Sequence, residues 1–178
     1  MALYFQSEND FNLSDDEQAG YAEWVESCIE ERGRNCGEIT YIFCDDEYLL
    51  TINQKYLNHD DYTDIITFDY SQDTLIIGDL FISTQRVQDN AKAFEVPFRQ
   101  ELSRVMIHGV LHLLGMEDSS PELKAEMRSS EDECLARLPS ALGIWLFSLE
   151  FHSFSLILHP NFLNYSQLVN FRSEEHTS

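Results

Sequence analysis

The sequence predicts an α+β fold in which a single mixed β-sheet of about four strands is covered by helices. Three observations lead to this prediction: short runs rich in β-branched and aromatic residues, amphipathic stretches between and after them, and a helix that carries two histidines and ends in a glycine turn. The 178 residues, 43% hydrophobic and 24% charged, suit one globular domain with a sizeable core.

The predicted elements follow in the order strand, helix, strand, helix, two strands and then helices. Ser14 and Glu17 fit a capping box at the beginning of the first helix, and Gly33 ends it. Pro97 suits the first turn of the histidine-bearing helix. We expect strands at 2–9, 38–46, 64–70 and 74–84, and helices at 14–32, 45–57, 84–94, 97–114 and 121–138.

The segment HGVLHLLGMEDSS carries the candidate metal ligands. His108 and His112 are four residues apart on one predicted helix and therefore lie on the same face. Gly115 readily adopts the left-handed conformation that ends a helix, so that the chain can turn back and bring Asp118 to the two rings. Three protein ligands leave the fourth coordination position of a zinc ion open to water, which is typical of a catalytic site.

The same segment has structural explanations as well. The two histidines could be hydrogen-bonded core or surface residues, and Glu117 with Asp118 could form a solvated turn before the last helix. Gly109 narrows the chemistry, because a zinc peptidase carries there the glutamate that takes a proton from water. Glycine takes no proton, so the pattern favours phosphodiester cleavage, which relies on positioning and charge stabilisation, over peptide hydrolysis.

The net charge of −21 argues against broad binding of polyanions, although a local basic strip can act within an acidic surface. Cysteines are present without a CxxC pair or metal-ligand spacing, so we expect buried, free thiols in a reducing cytosol. The first residues lack a basic segment followed by a long apolar core, so we expect no signal peptide and a cytoplasmic protein.

Residues 139–178 differ in composition, and we assign the domain to residues 1–138. The apolar run 141–158 is long enough for a membrane helix, but Glu150, His152 and three serines interrupt it. The closing RSEEHTS resembles the translation of a sequencing-library adapter. We therefore interpret 139–178 as a tail outside the fold that arises from read-through or assembly.

HGVLHLLG followed by an acid-rich turn resembles the signature of the YbeY family of bacterial endoribonucleases. NQKYLNHDDYTDIITF at 53–68 is similar to the family's Asn-x-x-Tyr and Thr-Asp-x-x-Ser-Phe segment, and GDLFIS at 78–83 to its Gly-Asp-Ile-x-Ile-Ser strand. The helix at 127–135 is similar to the family's closing Met, Glu and Leu helix. The resemblance thus covers about residues 1–138.

This resemblance implies a metal-dependent endoribonuclease of single-stranded RNA that acts in rRNA maturation, at the small-subunit rRNA 3′ end, and in ribosome quality control. It implies one Zn²⁺ ion on His108, His112 and Asp118, with RNA as the partner and neither DNA nor a membrane. Asp118 stands where the family usually has histidine, and its hard oxygen makes Mn²⁺ the alternative. Leu57 stands where the family usually has an arginine linked to RNA binding or cleavage, so that role is not carried over. Both changes resemble one branch of the family.

Basic residues cluster ahead of the histidines. Arg104 lies four residues before His108 on the same helix face and is our candidate for a catalytic phosphate contact beside the metal. A salt bridge with Glu101 or another acid is the alternative. The other residues that we predict to contact RNA are polar or basic: Asn58, His59, Thr63, Asp64, Arg86 and Arg99.

Two other functions stay open as alternatives. The chain could be a ribosome-assembly module with a structural metal, whose acidic surface meets basic ribosomal proteins. A peptidase of metzincin-like spacing is the other, and Gly109 disfavours it.

Overall fold

The structure is a computed structural model that describes residues 2–57, 60–139, 142 and 167–170. Strands and helices succeed one another nearly as predicted, with most bounds within three residues of the expected ones. They are β1 (Ala2–Ser7), α1 (Asp15–Glu30), β2 (Asn35–Cys44), α2 (Asp46–Leu57), β3 (Ile65–Asp69), β4 (Leu75–Ser83), α3 (Thr84–Ala93), α4 (Phe98–Leu113), α5 (Pro121–Leu135) and β5 (Gln167–Asn170).

The sheet is mixed and has the strand order β1-β2-β4-β3-β5. β1, β2 and β4 are parallel, whereas β3 pairs antiparallel with β4, from Ile65 beside Ile82 to Asp69 beside Gly78. The short β5 runs parallel to β3. The predicted α+β fold with a mixed sheet of about four strands is confirmed, and β5 adds a short strand at its edge.

The helix ends that the sequence predicted are found close to the expected residues. Ser14 caps α1, and its hydroxyl and the Glu17 carboxylate accept hydrogen bonds reciprocally, as a capping box requires. Pro97 is the residue just before the first helical position of α4, one place earlier than expected. Gly115 follows α4 with a φ of 90°, in the left-handed region that the prediction assigned to it.

Helices cover both faces of the sheet. Ile65 of β3 belongs to the large core cluster shared with α1, α4 and α5, whereas the next residue, Ile66, packs with Leu49 of α2 on the opposite face. α4 approaches the sheet closely at Gly109, where a Cβ atom would lie 2.3 Å from Cδ2 of Leu80 and 2.6 Å from Cδ1 of Ile65. This contact fixes the helix that carries the histidines.

The cysteines have free thiols, and Cys28, Cys44 and Cys134 are buried while Cys36 is partly buried. Burial raises the pKa of Cys44 to about 12 and that of Cys36 to about 11, so both thiols stay protonated near neutral pH. The expectation of unpaired, mostly buried thiols is thus confirmed.

Of residues 139–178, the structure describes Pro139, Leu142 and β5. Leu142 joins the large core cluster and β5 pairs with β3. Most of the apolar run 141–158 lies outside the described residues, so the assignment of 139–178 to a tail outside the fold stays a prediction. Within the described part of the chain, no helix has the length and apolar character to cross a bilayer.

Candidate metal centre

The two histidines lie one turn apart near the C-terminal end of α4. His108 is 5% exposed and His112 is 4% exposed. Their rings meet edge to face with centroids 4.6 Å apart. Their Nε2 atoms lie 3.0 Å from each other, so that two imidazole nitrogens converge on one point.

The end of α4 brings the third residue to this point. The N–H of Gly115 donates to the carbonyl of His112 at 2.8 Å, and the N–H of Met116 donates to the carbonyl of Leu111 at 3.0 Å. These two bonds form a Schellman motif, which reverses the direction of the chain. The Asp118 carboxylate then lies 4.0 Å from Nε2 of each histidine, with one oxygen toward each ring.

These distances fit a metal ion. A tetrahedral zinc ion with bonds of about 2.0–2.1 Å keeps its ligand atoms about 3.3 Å apart. The observed separations of 3.0 Å between the two nitrogens and 4.0 Å to the carboxylate oxygens bracket that value. His108, His112 and Asp118 therefore form a group that could hold a metal ion, with all three ligand atoms within 4.8 Å of one another.

Hydrogen bonds at the far side of each ring favour the tautomer that a metal ligand needs. Nδ1 of His108 donates to Oε1 of Glu131 at 2.7 Å, and Nδ1 of His112 donates to the carbonyl of Met116 at 2.9 Å. A proton held on Nδ1 leaves the lone pair of Nε2 free to bind a metal ion at the point where the two rings and Asp118 meet. A metal ion held here would thus have two neutral imidazole nitrogens and one carboxylate oxygen as ligands.

Glu131 of α5 links His108 to two arginines. Its Oε2 accepts from Nη1 of Arg104 at 2.9 Å and, more weakly, from Nη1 of Arg128 at 3.4 Å. Arg104 also pairs with Asp132 at 2.9 Å. The side chains of Glu131 and Arg104 are 7% and 17% exposed, so this network is largely shielded from solvent.

Opposing effects set the pKa values around the centre. Burial by itself lowers the pKa of His108, but the hydrogen bond and charge of Glu131 outweigh it and the pKa is raised. Burial and the charge on His108 lower the pKa of His112. Burial raises the pKa of Glu131, yet His108 and Arg104 reverse this and lower it, so Glu131 stays a carboxylate.

The predicted RNA-contacting residues before β3 are buried where the structure describes them. The Thr63 hydroxyl donates to the carbonyl of Ile65 at 3.3 Å, and the Asp64 carboxylate accepts from the Asn90 amide at 3.2 Å. Burial raises the pKa of Asp64, although the charge of His108 opposes it. Their role toward RNA stays a prediction, and the predicted Asn58 and His59 lie outside the described residues.

The predicted basic residues are engaged with acids. Arg86 pairs with Asp46 at 2.8 Å, and Arg99 pairs with Glu17 at 2.7 Å. For Arg104, the salt-bridge alternative describes what the structure has, with the acids of α5 as partners and not Glu101 of its own helix. Each of the three arginines thus already has an acidic partner.

Sequence reasoning missed Glu131 as a neighbour of the ligands. A usable signal was present: buried Met127, Glu131 and Cys134 share one face of α5, and an acid on an apolar stripe needs a buried partner. Arg128, one turn earlier, was missed as well, and its side chain is 44% exposed beside the centre.

Fold and site together define a class of protein: an α+β domain in which three residues that could hold a metal ion meet where a helix ends in a glycine turn. The model of the Endoribonuclease YbeY family matches residues 5–139. The Endoribonuclease YbeY of Flavobacterium psychrophilum is 54% identical over 133 residues, which cover 75% of this chain and 94% of the relative. That of Flavobacterium johnsoniae is 52% identical over 134 residues, 75% of this chain and 95% of the relative.

A solution structure of a protein from Thermotoga maritima shares the fold, with a TM-score of 0.54 and 23% identity over 75% of this chain and 89% of that one. The chain belongs to the Endoribonuclease YbeY family, as the resemblance in its motifs predicted.

Proposed function

We propose that this chain is a metal-dependent endoribonuclease that cuts single-stranded RNA in rRNA maturation, at the small-subunit rRNA 3′ end, and in ribosome quality control. The observation that carries the proposal is the convergence of two imidazole nitrogens and one carboxylate within 4.8 Å at the end of α4. Membership of the Endoribonuclease YbeY family supports the reaction type.

We propose Zn²⁺ as the ion, with Mn²⁺ as the alternative because Asp118 adds a hard oxygen ligand. His108 and His112 would hold it through Nε2, and Asp118 through its carboxylate. When bound, the ion supplies a Lewis acid for a phosphoryl oxygen and lowers the pKa of water at an open coordination position. The chain's part is to fix three ligands and to shield the rings, which are 5% and 4% exposed.

Gly109 supports phosphodiester chemistry over peptide hydrolysis. The position has no room for a long side chain without a shift of its neighbours, since a Cβ atom alone would lie 2.3 Å from Cδ2 of Leu80. A glutamate base, as the zinc peptidases use it, therefore has no place here. Phosphoryl transfer depends mainly on positioning and electrostatic stabilisation, for which the buried centre is suited.

RNA would approach from the side of Asp118, whose side chain is 16% exposed and is the most open of the three ligands. We propose Arg128 as a phosphate contact there, because its side chain is 44% exposed compared with 17% for Arg104. The residues predicted from the sequence stay candidates: Asn58, His59, Thr63, Asp64, Arg86 and Arg99. We also propose a cytoplasmic location, with basic ribosomal proteins as partners of the acidic surface.

Metal analysis combined with cleavage of a single-stranded RNA tests the function. Wild type is expected to carry about one zinc ion per chain and to cut RNA, whereas His112→Ala loses both properties. Asp118→Asn and Glu117→Gln form a matched pair of neighbouring carboxylate-to-amide changes, and only the first should abolish metal binding and cleavage. Bound metal without RNA cleavage by wild type would favour the assembly module, and casein hydrolysis would favour the peptidase.

A further inference from the structure

On the basis of the metal centre proposed above, we infer that Glu131 positions the ligand His108, and that Arg104 in turn positions Glu131. A line of contacts then runs from α5 through one imidazole ring to the metal. Glu131 and Arg104 are positioning residues in this inference, and neither touches the RNA or the ion.

The two carboxylate oxygens of Glu131 accept hydrogen bonds from different residues. Oε1 accepts from Nδ1 of His108 at 2.7 Å, and Oε2 accepts from Nη1 of Arg104 at 2.9 Å. Glu131 is 5% exposed, so water cannot readily replace either partner. Because each oxygen is held from a different direction, the carboxylate is fixed, and it fixes the plane of the His108 ring.

The two imidazole ligands are supported unequally. Nδ1 of His108 faces a carboxylate at 2.7 Å, whereas Nδ1 of His112 faces the neutral carbonyl of Met116 at 2.9 Å. A carboxylate draws the Nδ1 proton more strongly than a carbonyl, which makes the opposite nitrogen more basic. His108 is therefore expected to be the stronger nitrogen donor, and the affinity for the ion should depend on the charge of Glu131.

Arg104 holds the carboxylate in this place. It bridges Glu131 and Asp132, each at 2.9 Å, and is 17% exposed. Without it, the contact that Oε2 of Glu131 keeps among the described residues is the longer one to Arg128, at 3.4 Å. A guanidinium that pairs with two acids of α5 and is 17% exposed is suited to fix Glu131.

A matched pair of variants on α5 tests the role of Glu131. Glu131→Gln keeps an oxygen that accepts from His108 but removes the charge, and Glu133→Gln makes the same change at an exposed position of the same helix. Zinc affinity of the metal-free proteins is measured by competition with a chromophoric chelator. We expect Glu131→Gln to bind zinc about 10–100-fold more weakly than wild type, and Glu133→Gln to match wild type.

Equal zinc affinity of Glu131→Gln and wild type would overturn the inference. Wild type that binds no zinc would overturn the metal centre and the inference together. Wild type that binds zinc but leaves RNA intact would overturn the proposed function alone, because the inference concerns affinity for the ion. Circular dichroism of each metal-free variant separates a loss of affinity from a loss of fold.

Arg104→Met supplies a second, independent measurement. We expect weaker zinc binding, while the KM for single-stranded RNA at saturating zinc stays at the wild-type value. A raised KM at saturating zinc, together with unchanged zinc affinity, would assign Arg104 to the RNA and overturn its positioning role. The variant remains informative if Glu131→Gln fails to fold.

Discussion

The Nε2 atoms of His108 and His112 face each other at 3.0 Å in a site that is almost closed to solvent. Two nitrogen lone pairs at this distance repel each other unless a proton or a cation lies between them. A metal ion would remove that repulsion and would bind the folded chain in preference to the unfolded chain, which does not keep the three ligands together.

Metal removal should therefore destabilise the protein. Free zinc at 100 times its Kd is expected to add about 2.7 kcal/mol to the free energy of unfolding. Calorimetry with and without a chelator measures the change in Tm. His112→Ala serves as the control, since its Tm should no longer respond to zinc; an equal zinc-dependent shift in both proteins would contradict the assignment of His112.

Alanine variants of two glycines in the left-handed region distinguish backbone strain from an effect on metal affinity. Gly115 follows α4 with a φ of 90° and Gly33 follows α1 with a φ of 71°, and a Cβ atom at either would meet nothing within 4 Å. We expect Gly115→Ala and Gly33→Ala to lower the free energy of unfolding alike, by about 1–2 kcal/mol. Only Gly115→Ala should weaken zinc binding, because Gly115 directs the chain toward Asp118. Denaturant titration and chelator competition measure the two effects, and equal zinc affinity in both variants would contradict the role of the turn.

The ligand group was predictable because its cause is local. Helical periodicity places His108 and His112 on one face, and a glycine three residues later allows the turn that returns Asp118. The three candidate ligands and the turn between them lie within eleven consecutive residues, from His108 to Asp118. No contact with a distant part of the chain is required to foresee this arrangement.

The surroundings of the ligands were not predictable in the same way. Glu131 is 23 residues from His108 and 27 from Arg104, and their meeting depends on how α5 packs against α4. The sequence showed that Arg104 shares a face with His108. It did not show which of the many acids pairs with Arg104. Only the packed structure selects Glu131 and Asp132.

Close packing at Gly109 gives a prediction about stability. Gly109→Ala places a Cβ atom 2.3 Å from Leu80 and 2.6 Å from Ile65, so we expect a loss of about 1–3 kcal/mol in the free energy of unfolding through overpacking. Gly20→Ala on α1 is the control, because there the Cβ atom meets the flexible end of Leu142 at 3.0 Å and the helix gains alanine's higher propensity. Urea titration compares the two, and a Gly109→Ala protein as stable as Gly20→Ala would refute the close approach.

Asp118→His tests the effect of the anionic ligand on activity. Replacing a carboxylate by a neutral imidazole would raise the net charge of the metal and its ligands by one unit. Water at the open coordination position should then lose its proton more readily. We expect the activity–pH profile to move to lower pH. Cleavage of one RNA substrate by both proteins across the pH range measures the profile, with zinc at saturation and Glu117→His as the neighbouring control. An unshifted profile for Asp118→His would contradict the expectation.

A buried acid away from the ligands should make stability depend on pH. Glu101 is 2% exposed, and its Oε1 has no hydrogen-bond partner among the described residues. Burial raises the pKa of Glu101 to about 7, Asp64 and Glu131 add to the rise, and Arg104 and Arg128 oppose it. In the unfolded chain the same group has a pKa near its ordinary value of 4.5.

The folded chain therefore holds the Glu101 proton more tightly than the unfolded chain. Stability from this group is fully present below about pH 4.5 and is lost as the pH rises through about 7, with an upper limit of about 3 kcal/mol. Glu101→Gln imitates the protonated form, so it should match wild type at about pH 5 and exceed it at about pH 8. Denaturant titrations at both pH values measure the difference, with the exposed Glu126→Gln as control. The stability gained over wild type at the higher pH is then compared between Glu101→Gln and the control Glu126→Gln. An equal gain in the two variants would show that Glu101 is already charged in the folded protein, in spite of its burial.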